Sequence, residues 1–169
     1  MTAVEGERLD VEPPAGTVRT LDPNVRVVWA AQALVSALVA GVVVGIASSI
    51  VRGPLWAGPA AFALLGALGV ALSVARYRVW RYQVREDSLF LERGVFTRTK
   101  TVVPYVRIQH VDSSRGPLER AVGLASAVVY TAGSRGADVT IPGLIPEDAE
   151  ALQDRLKRLA IAAEGEDAV

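Results

Sequence analysis

His110 is the only histidine in the chain, and Asp112, Ser113 and Ser114 follow close behind it. A hydrolytic site would need serine, histidine and carboxylate to converge in space. On a strand, residues two apart share a face. His110 and Asp112 then point together, while Ser113 points away. A metal site would need a third ligand, and the neighbouring sequence offers none at a usual spacing. Cysteine is absent, which removes thiolate metal sites and disulfide scaffolds. No Gly-x-Gly-x-x-Gly, Walker-type loop or Gly-x-Ser-x-Gly occurs. The nearest run, Gly123-Leu124-Ala125-Ser126-Ala127, puts Ser126 inside an expected strand. An enzyme built on His110 and Asp112 is therefore the weaker alternative. His110 reads as a structural, hydrogen-bonding residue or a polar contact with a partner. No cofactor, metal or small-molecule substrate is expected.

The second group with chemical potential is basic. Between residues 76 and 120 lie Arg76, Arg78, Arg81, Arg85, Arg93, Arg98, Lys100, Arg107, Arg115 and Arg120, ten against five acidic residues. Net charge over the whole chain is zero, so this excess is local. Its members are spread over turns and strands, which argues against nucleic acid. Arginines beside a membrane fix topology and sit near anionic headgroups, at about 1 kcal/mol each. Arg98, Lys100, Arg107, His110, Arg115 and Arg120 are the candidate contacts for a partner or a headgroup.

The elements that must position these residues follow from hydropathy. Apolar residues make up 51% of 169 residues, yet 21% are charged. The two are segregated: from Val27 to Ala75 the only charge is Arg52. Val27–Val51 and Gly53–Ala75 are each long enough, as helices, to cross the roughly 30 Å hydrocarbon core. Arg52-Gly53-Pro54 leaves room for a tight turn only. The pair reads as a transmembrane hairpin over residues 25–78, with spans at about 27–51 and 54–76. Trp29, Trp56 and Trp80 fall near the expected boundaries, as an aromatic belt requires. The alternative is a buried helical hairpin in a soluble protein. A signal peptide is not expected, because 26 residues with five acidic groups precede the first span.

Arg8, Arg19 and Arg26 precede the first span, and Arg76, Arg78, Arg81 and Arg85 follow the second. Against Arg52 alone in the turn, this asymmetry predicts a cell-membrane protein with both termini cytoplasmic. Small residues recur every fourth position, at Ala33, Ala37, Gly41, Gly45 and Ser49, and again at Ala63, Ala67, Ala71 and Ala75. Such rows let helix backbones approach closely. Ala37, Gly41, Gly45 and Ser49 are the candidate packing residues, within the hairpin or against another membrane protein.

Residues 1–24 show no hydrophobic period and read as a disordered tail. From Trp80 to about Ile141 the period is two. Strands are expected at 80–85, 89–93, 95–103, 106–113, 124–132 and 137–141. Gly116–Gly123 reads as a short helical turn and Gly133–Gly136 as a hairpin turn, and Pro142-Gly143 is expected to end the sheet. A helix over about 146–162 carries Ala149, Leu152, Leu156 and Leu159 in one stripe. This gives about six antiparallel strands closed by one amphipathic helix over 79–162, then an acidic tail over 163–169.

Three stretches carry a resemblance. They are Val103-Pro104-Tyr105-Val106-Arg107-Ile108-Gln109-His110-Val111-Asp112, Gly116-Pro117-Leu118-Glu119-Arg120 with Gly123-Leu124-Ala125, and Val128-x-Tyr130-Thr131-Ala132-Gly133. Together with Ile141-Pro142-Gly143-Leu144 and the paired spans, they resemble the bacterial PH-like domain of YdbS-like membrane proteins over residues 25–160. The resemblance implies an α+β membrane protein: a two-helix hairpin, then a PH-like antiparallel β-barrel or sandwich capped by a C-terminal helix. It implies no reaction and carries over no ligand residue. Roles suggested for such proteins are in membrane protein assemblies or envelope stress. The expected function is a non-enzymatic, membrane-anchored interaction module. Its partners would be the bilayer and either a homologous multi-domain membrane protein or a second copy. A module sensing anionic lipid headgroups is the alternative.

Overall fold

The structure, a computed structural model, describes residues 16–132 and 138–166. Two long helices come first, α1 (Val25–Ile50) and α2 (Ala57–Val79). Both are long and apolar enough to cross a bilayer, and most of their large apolar side chains face outward. Between them the chain reverses at Arg52, the one described non-glycine residue with positive φ (54°). Gly53 donates its N–H to the Ser48 carbonyl (2.7 Å), and the Ser48 hydroxyl donates to the Pro54 carbonyl (2.9 Å). These bonds tie the end of α1 to the turn.

α1 and α2 pack through small residues. A Cβ on Gly69 would lie 2.6 Å from the Ala33 Cβ, and one on Gly41 would lie 2.9 Å from the Phe62 Cβ. One on Gly58 would lie 2.8 Å from the Gly41 carbonyl oxygen and 3.0 Å from the Gly45 Cα. Such close approach supplies the van der Waals contact that holds helices together in lipid. Ser73, buried in the same seam, donates to the Gly69 carbonyl (2.8 Å).

The rest of the chain forms two antiparallel sheets. The first has the order β1 (Val18–Thr20), β2 (Arg81–Val84), β3 (Ser88–Arg93) and β4 (Thr99–Pro104). A single 3-10 turn, Tyr105–Arg107, leads into the second sheet. That sheet has the order β5 (Ile108–Ser114), β6 (Ala125–Thr131) and β7 (Val139–Leu144). A short helix, α3 (Pro117–Ala121), joins β5 to β6. The last helix, α4 (Pro146–Glu166), buries Ala149, Leu152, Leu156 and Ala160 against the second sheet. Gln153 Nε2 donates to the Val111 carbonyl (2.8 Å) and fixes that helix on β5.

One core runs through all of this. Leu89, Leu91, Leu124, Val129, Ile141 and Leu156 form its centre, and Leu21, Val25, Val28 and Trp29 belong to the same cluster. The first turns of α1 are thus part of the β-domain's interior. At the other connection only Trp80, itself buried, separates the end of α2 from β2.

Several expectations need correction. The expected disordered tail ends too late: residues 1–15 lie outside the described residues, but 18–20 form β1, in register with 81–83, and Leu21 is buried. The third strand begins at Thr99 instead of Val95, because Gly94 (φ 106°) turns so tightly that a Cβ there would overlap the Thr97 carbonyl. Residues 105–107 are helical before β5 starts at Ile108. Pro142-Gly143 does not end the sheet: β7 is an edge strand, where proline is tolerated. The pair forms a bulge opposite Ala125–Ala127, with Gly143 at φ 65°. The final helix continues to Glu166. Trp80 and Trp29 lie in the core instead of an aromatic belt, and only Trp56 is exposed. The expected hairpin turn at 133–136 falls outside the described residues.

Candidate functional site

His110 and Tyr130 are register partners on β5 and β6, and their rings stack at 4.1 Å, 17° from parallel. The register slips by one residue between Ile108 and His110, so Gln109 and His110 both face outward while Val111 turns in. Asp112 is exposed, opposite Val128, and Ser113 lies opposite Ala127. The structure thus gives His110 an aromatic stacking contact on an exposed face of the sheet.

The other candidate contacts are dispersed. Arg98 lies 4.0 Å from Glu92 beside the start of β4, and Lys100 faces out from β4 itself. Arg107 is in the 3-10 turn, and Arg120 is on α3. Arg115 lies 3.7 Å from Glu150 at the start of α4. Among the helix-packing candidates, Ala37 and Gly41 are buried in the α1/α2 seam and Gly45 approaches Gly58. Ser49 is exposed and donates to the Ile46 carbonyl (2.7 Å). On α2 the facing residues are Gly58, Phe62, Gly66 and Gly69, whereas Ala63, Ala67 and Ala71 face outward.

The structure draws a different group of residues together, at the junction of hairpin and β-domain. The guanidinium of Arg76 lies 4.1 Å over the Trp29 ring, and that of Arg26 lies 4.9 Å over the Tyr77 ring. These two crossed cation–π pairs clamp the start of α1 to the end of α2. Asp22 donates its N–H to the Gly143 carbonyl (2.8 Å), which ties the approach to α1 onto β7. Beside the clamp is a cavity of about 410 Å³ lined by Leu72, Arg76, Trp80, Arg93, Val95 and Phe96. Arg76 and Arg93 both belong to the basic set of residues 76–120. Only the fold brings these two arginines, seventeen positions apart in sequence, into one cavity.

Elsewhere, Tyr105 locks the turn between β2 and β3. Its hydroxyl lies 2.7 Å from the Arg85 carbonyl oxygen and 2.9 Å from that of Ser88, sharing one donor between them. Burial pushes this phenol up to about 12, with Arg155 opposing and Asp87 adding to the shift. Glu119 accepts from the Gly116 N–H (2.8 Å) and from the Ser126 hydroxyl, which fixes α3 on β6. Across the outer face of the first sheet, Val18, Gln83, Phe90 and Val102 stand in one row, one from each strand. Val18 and Val102 are more than half exposed, and Arg85 stacks on Phe90 at 4.3 Å.

Comparison with known proteins matches this architecture to a family. The profile described as Bacterial PH domain covers residues 25–160. The transmembrane protein YdbS of Bacillus subtilis (strain 168) is 39% identical over 99 residues, which is 57% of this chain and 60% of that protein. The transmembrane protein YdbT of the same strain is 27% identical over 86 residues, 50% of this chain and 17% of that protein. The matched parts thus fall short of the full length of both relatives. No solved structure matches. The family profile begins at the first residue of α1 and so takes in both apolar helices with the β-domain. With two spanning helices and a relative named as a transmembrane protein, the location is the membrane. The chain belongs to the bacterial PH domain family, as a YdbS-like membrane protein.

Proposed function

We propose that the chain is a non-enzymatic interaction module that presents its β-domain at the membrane surface to another membrane protein or to a second copy of itself. The observation that carries this reading is the outer row Val18–Gln83–Phe90–Val102. It combines exposed apolar side chains with a polar rim of Arg81, Glu92 and Lys100. Val18 and Val102 flank Gln83 and the Arg85-covered Phe90, and exposed apolar side chains within a polar rim are the usual anatomy of a protein interface. The shared core fixes the direction in which that face is held, which favours a partner that also sits in the bilayer. The arginine asymmetry supports placing both termini, and so this face, on the cytoplasmic side.

The test is affinity purification of the full chain from mild detergent, comparing wild type with Val102→Glu. Val102 faces outward, so the variant should reach the membrane at wild-type level. Loss of a co-purifying membrane protein, or of the chain's own dimer, is the expected result. Unchanged co-purification, or no stoichiometric partner for wild type, contradicts the reading.

A further inference from the structure

The cavity beside the cation–π clamp joins two environments. Leu72 lies one helical turn before Arg76, within the apolar span of α2. Arg93 ends the inward row of β3 that begins with Leu89 and Leu91, so it points from the sheet toward the helix end. Trp80 and Val95 supply apolar walls, and Phe96 stands 88% exposed at the rim. Among the described residues, no acidic side chain lines the cavity. Glu92, next to Arg93, alternates to the opposite face and lies near Arg98 instead. Stacking on Trp29 holds Arg76 in place, and Arg76 and Arg93 both line the cavity.

Two guanidiniums in one mostly apolar cavity repel each other unless an anion lies between them. Arginine also presents paired N–H donors that suit phosphate oxygens. The apolar wall continues down a membrane-spanning helix, so the anion that fits has a hydrocarbon tail. An exposed phenylalanine at this depth suits the interface, where aromatic rings sit at headgroup level. We infer that this cavity binds an anionic phospholipid, its phosphate between Arg76 and Arg93, its acyl chain along Leu72 and Phe96 seated in the headgroup layer. This site rests on the membrane location alone, so it stands or falls separately from the protein partner proposed above.

The test uses the full chain in phosphatidylcholine vesicles carrying spin-labelled phosphatidylglycerol or spin-labelled phosphatidylcholine. The immobilised fraction of each label gives the relative affinity. An arginine near anionic headgroups contributes about 1 kcal/mol, roughly fivefold in binding. Wild type should prefer phosphatidylglycerol by fivefold or more, and Arg93→Gln should lose most of that preference. Phe96→Ser, at an exposed position that leaves the fold intact, should reduce the immobilised fraction of labelled phosphatidylglycerol by twofold or more. The double variant Arg78→Gln, Arg81→Gln removes two exposed arginines outside the cavity lining and should keep the preference. An equal loss in that control means diffuse surface charge and overturns the site. So does an unchanged preference in Arg93→Gln, or an unchanged immobilised fraction in Phe96→Ser. Displacement of the labelled lipid by excess glycerol phosphate would assign the cavity to a soluble phosphorylated ligand and overturn the lipid assignment.

Discussion

Gly143 on β7 packs so closely on Val25 that a Cβ at Gly143 would lie 2.5 Å from the Val25 Cβ and 2.6 Å from its Cγ2. Val25 is the first residue of α1, the helix that enters the membrane. A strand near the end of the chain therefore rests against the base of the anchor, with no space between them. The same contact explains why Pro142-Gly143 is a bulge and not a strand end. The extra residue lifts the backbone toward Val25, and only glycine fits both the left-handed conformation and the gap.

Gly143→Ala should therefore be strongly destabilising. Positive φ costs a residue with a side chain about 1–2 kcal/mol, and forcing a methyl into a filled core costs a further ~1–3 kcal/mol. The measurement is thermal unfolding of the full chain in detergent. Val25→Gly alone should destabilise through its cavity. Combined with Gly143→Ala it should recover part of the loss, because the Val25 Cβ and Cγ2 that a methyl at Gly143 would meet are both gone. Simple additivity of the two changes would show that the residues do not touch.

Tyr105 predicts an alkaline signature. Its phenol titrates near 12 in the folded chain, above the ordinary value of about 10. A group whose folded value is raised favours the fold fully below its unfolded value and loses that contribution as pH rises through the folded value. Stability should fall between about pH 10 and pH 12 through this residue. Tyr105→Phe should cost about 1 kcal/mol at pH 8. Denaturant titrations at pH 8 and pH 11.5 should show the gap between wild type and variant narrowing at the higher pH. A gap that widens there contradicts the burial of the phenol.

Much of this fold is legible in local sequence. The alternation of Trp80, Tyr82 and Val84 marks the inner face of β2, and all three are buried. The stripe Ala149, Leu152, Leu156 marks the buried face of α4. What stays hidden is long-range. Val18-Arg19-Thr20 has no period of its own and becomes a strand only by pairing with 81–83, some sixty residues later. Small residues at every fourth position of α2 suggest a groove at Ala63, Ala67 and Ala71. The seam uses Gly58, Phe62, Gly66 and Gly69 instead, because glycine allows closer approach than alanine. Arg76 and Arg93 gain meaning only once helix end and sheet end meet. The stacking of His110 on Tyr130 likewise depends on a bulge at Gln109 that no local pattern announces.

The helix seam gives a further prediction. Gly58→Leu places a side chain where the Gly41 carbonyl and the Gly45 Cα already sit. Overpacking of this kind costs about 1–3 kcal/mol. The span stays apolar, so insertion should survive while the detergent melting temperature falls by several degrees. Ala67→Leu, on the outward face, should leave the melting temperature unchanged. Because hairpin and β-domain share a core, Gly58→Leu should also speed proteolysis of the β-domain. If proteolysis is unchanged while the hairpin loosens, the two parts are not coupled.

The rigid union of anchor and β-domain is tested most directly by a distance between spin labels. The chain has no cysteine, so Ala63→Cys with Ser113→Cys labels only those two sites, both exposed, one on α2 and one on β5. Pulsed dipolar spectroscopy of the labelled chain in lipid nanodiscs should give one narrow distance distribution, no broader than the labels' own side-chain freedom. Adding Gly143→Val should broaden it. A wide or multimodal distribution in the chain without Gly143→Val would show a β-domain swinging on a flexible tether, and would contradict a single core shared by anchor and domain.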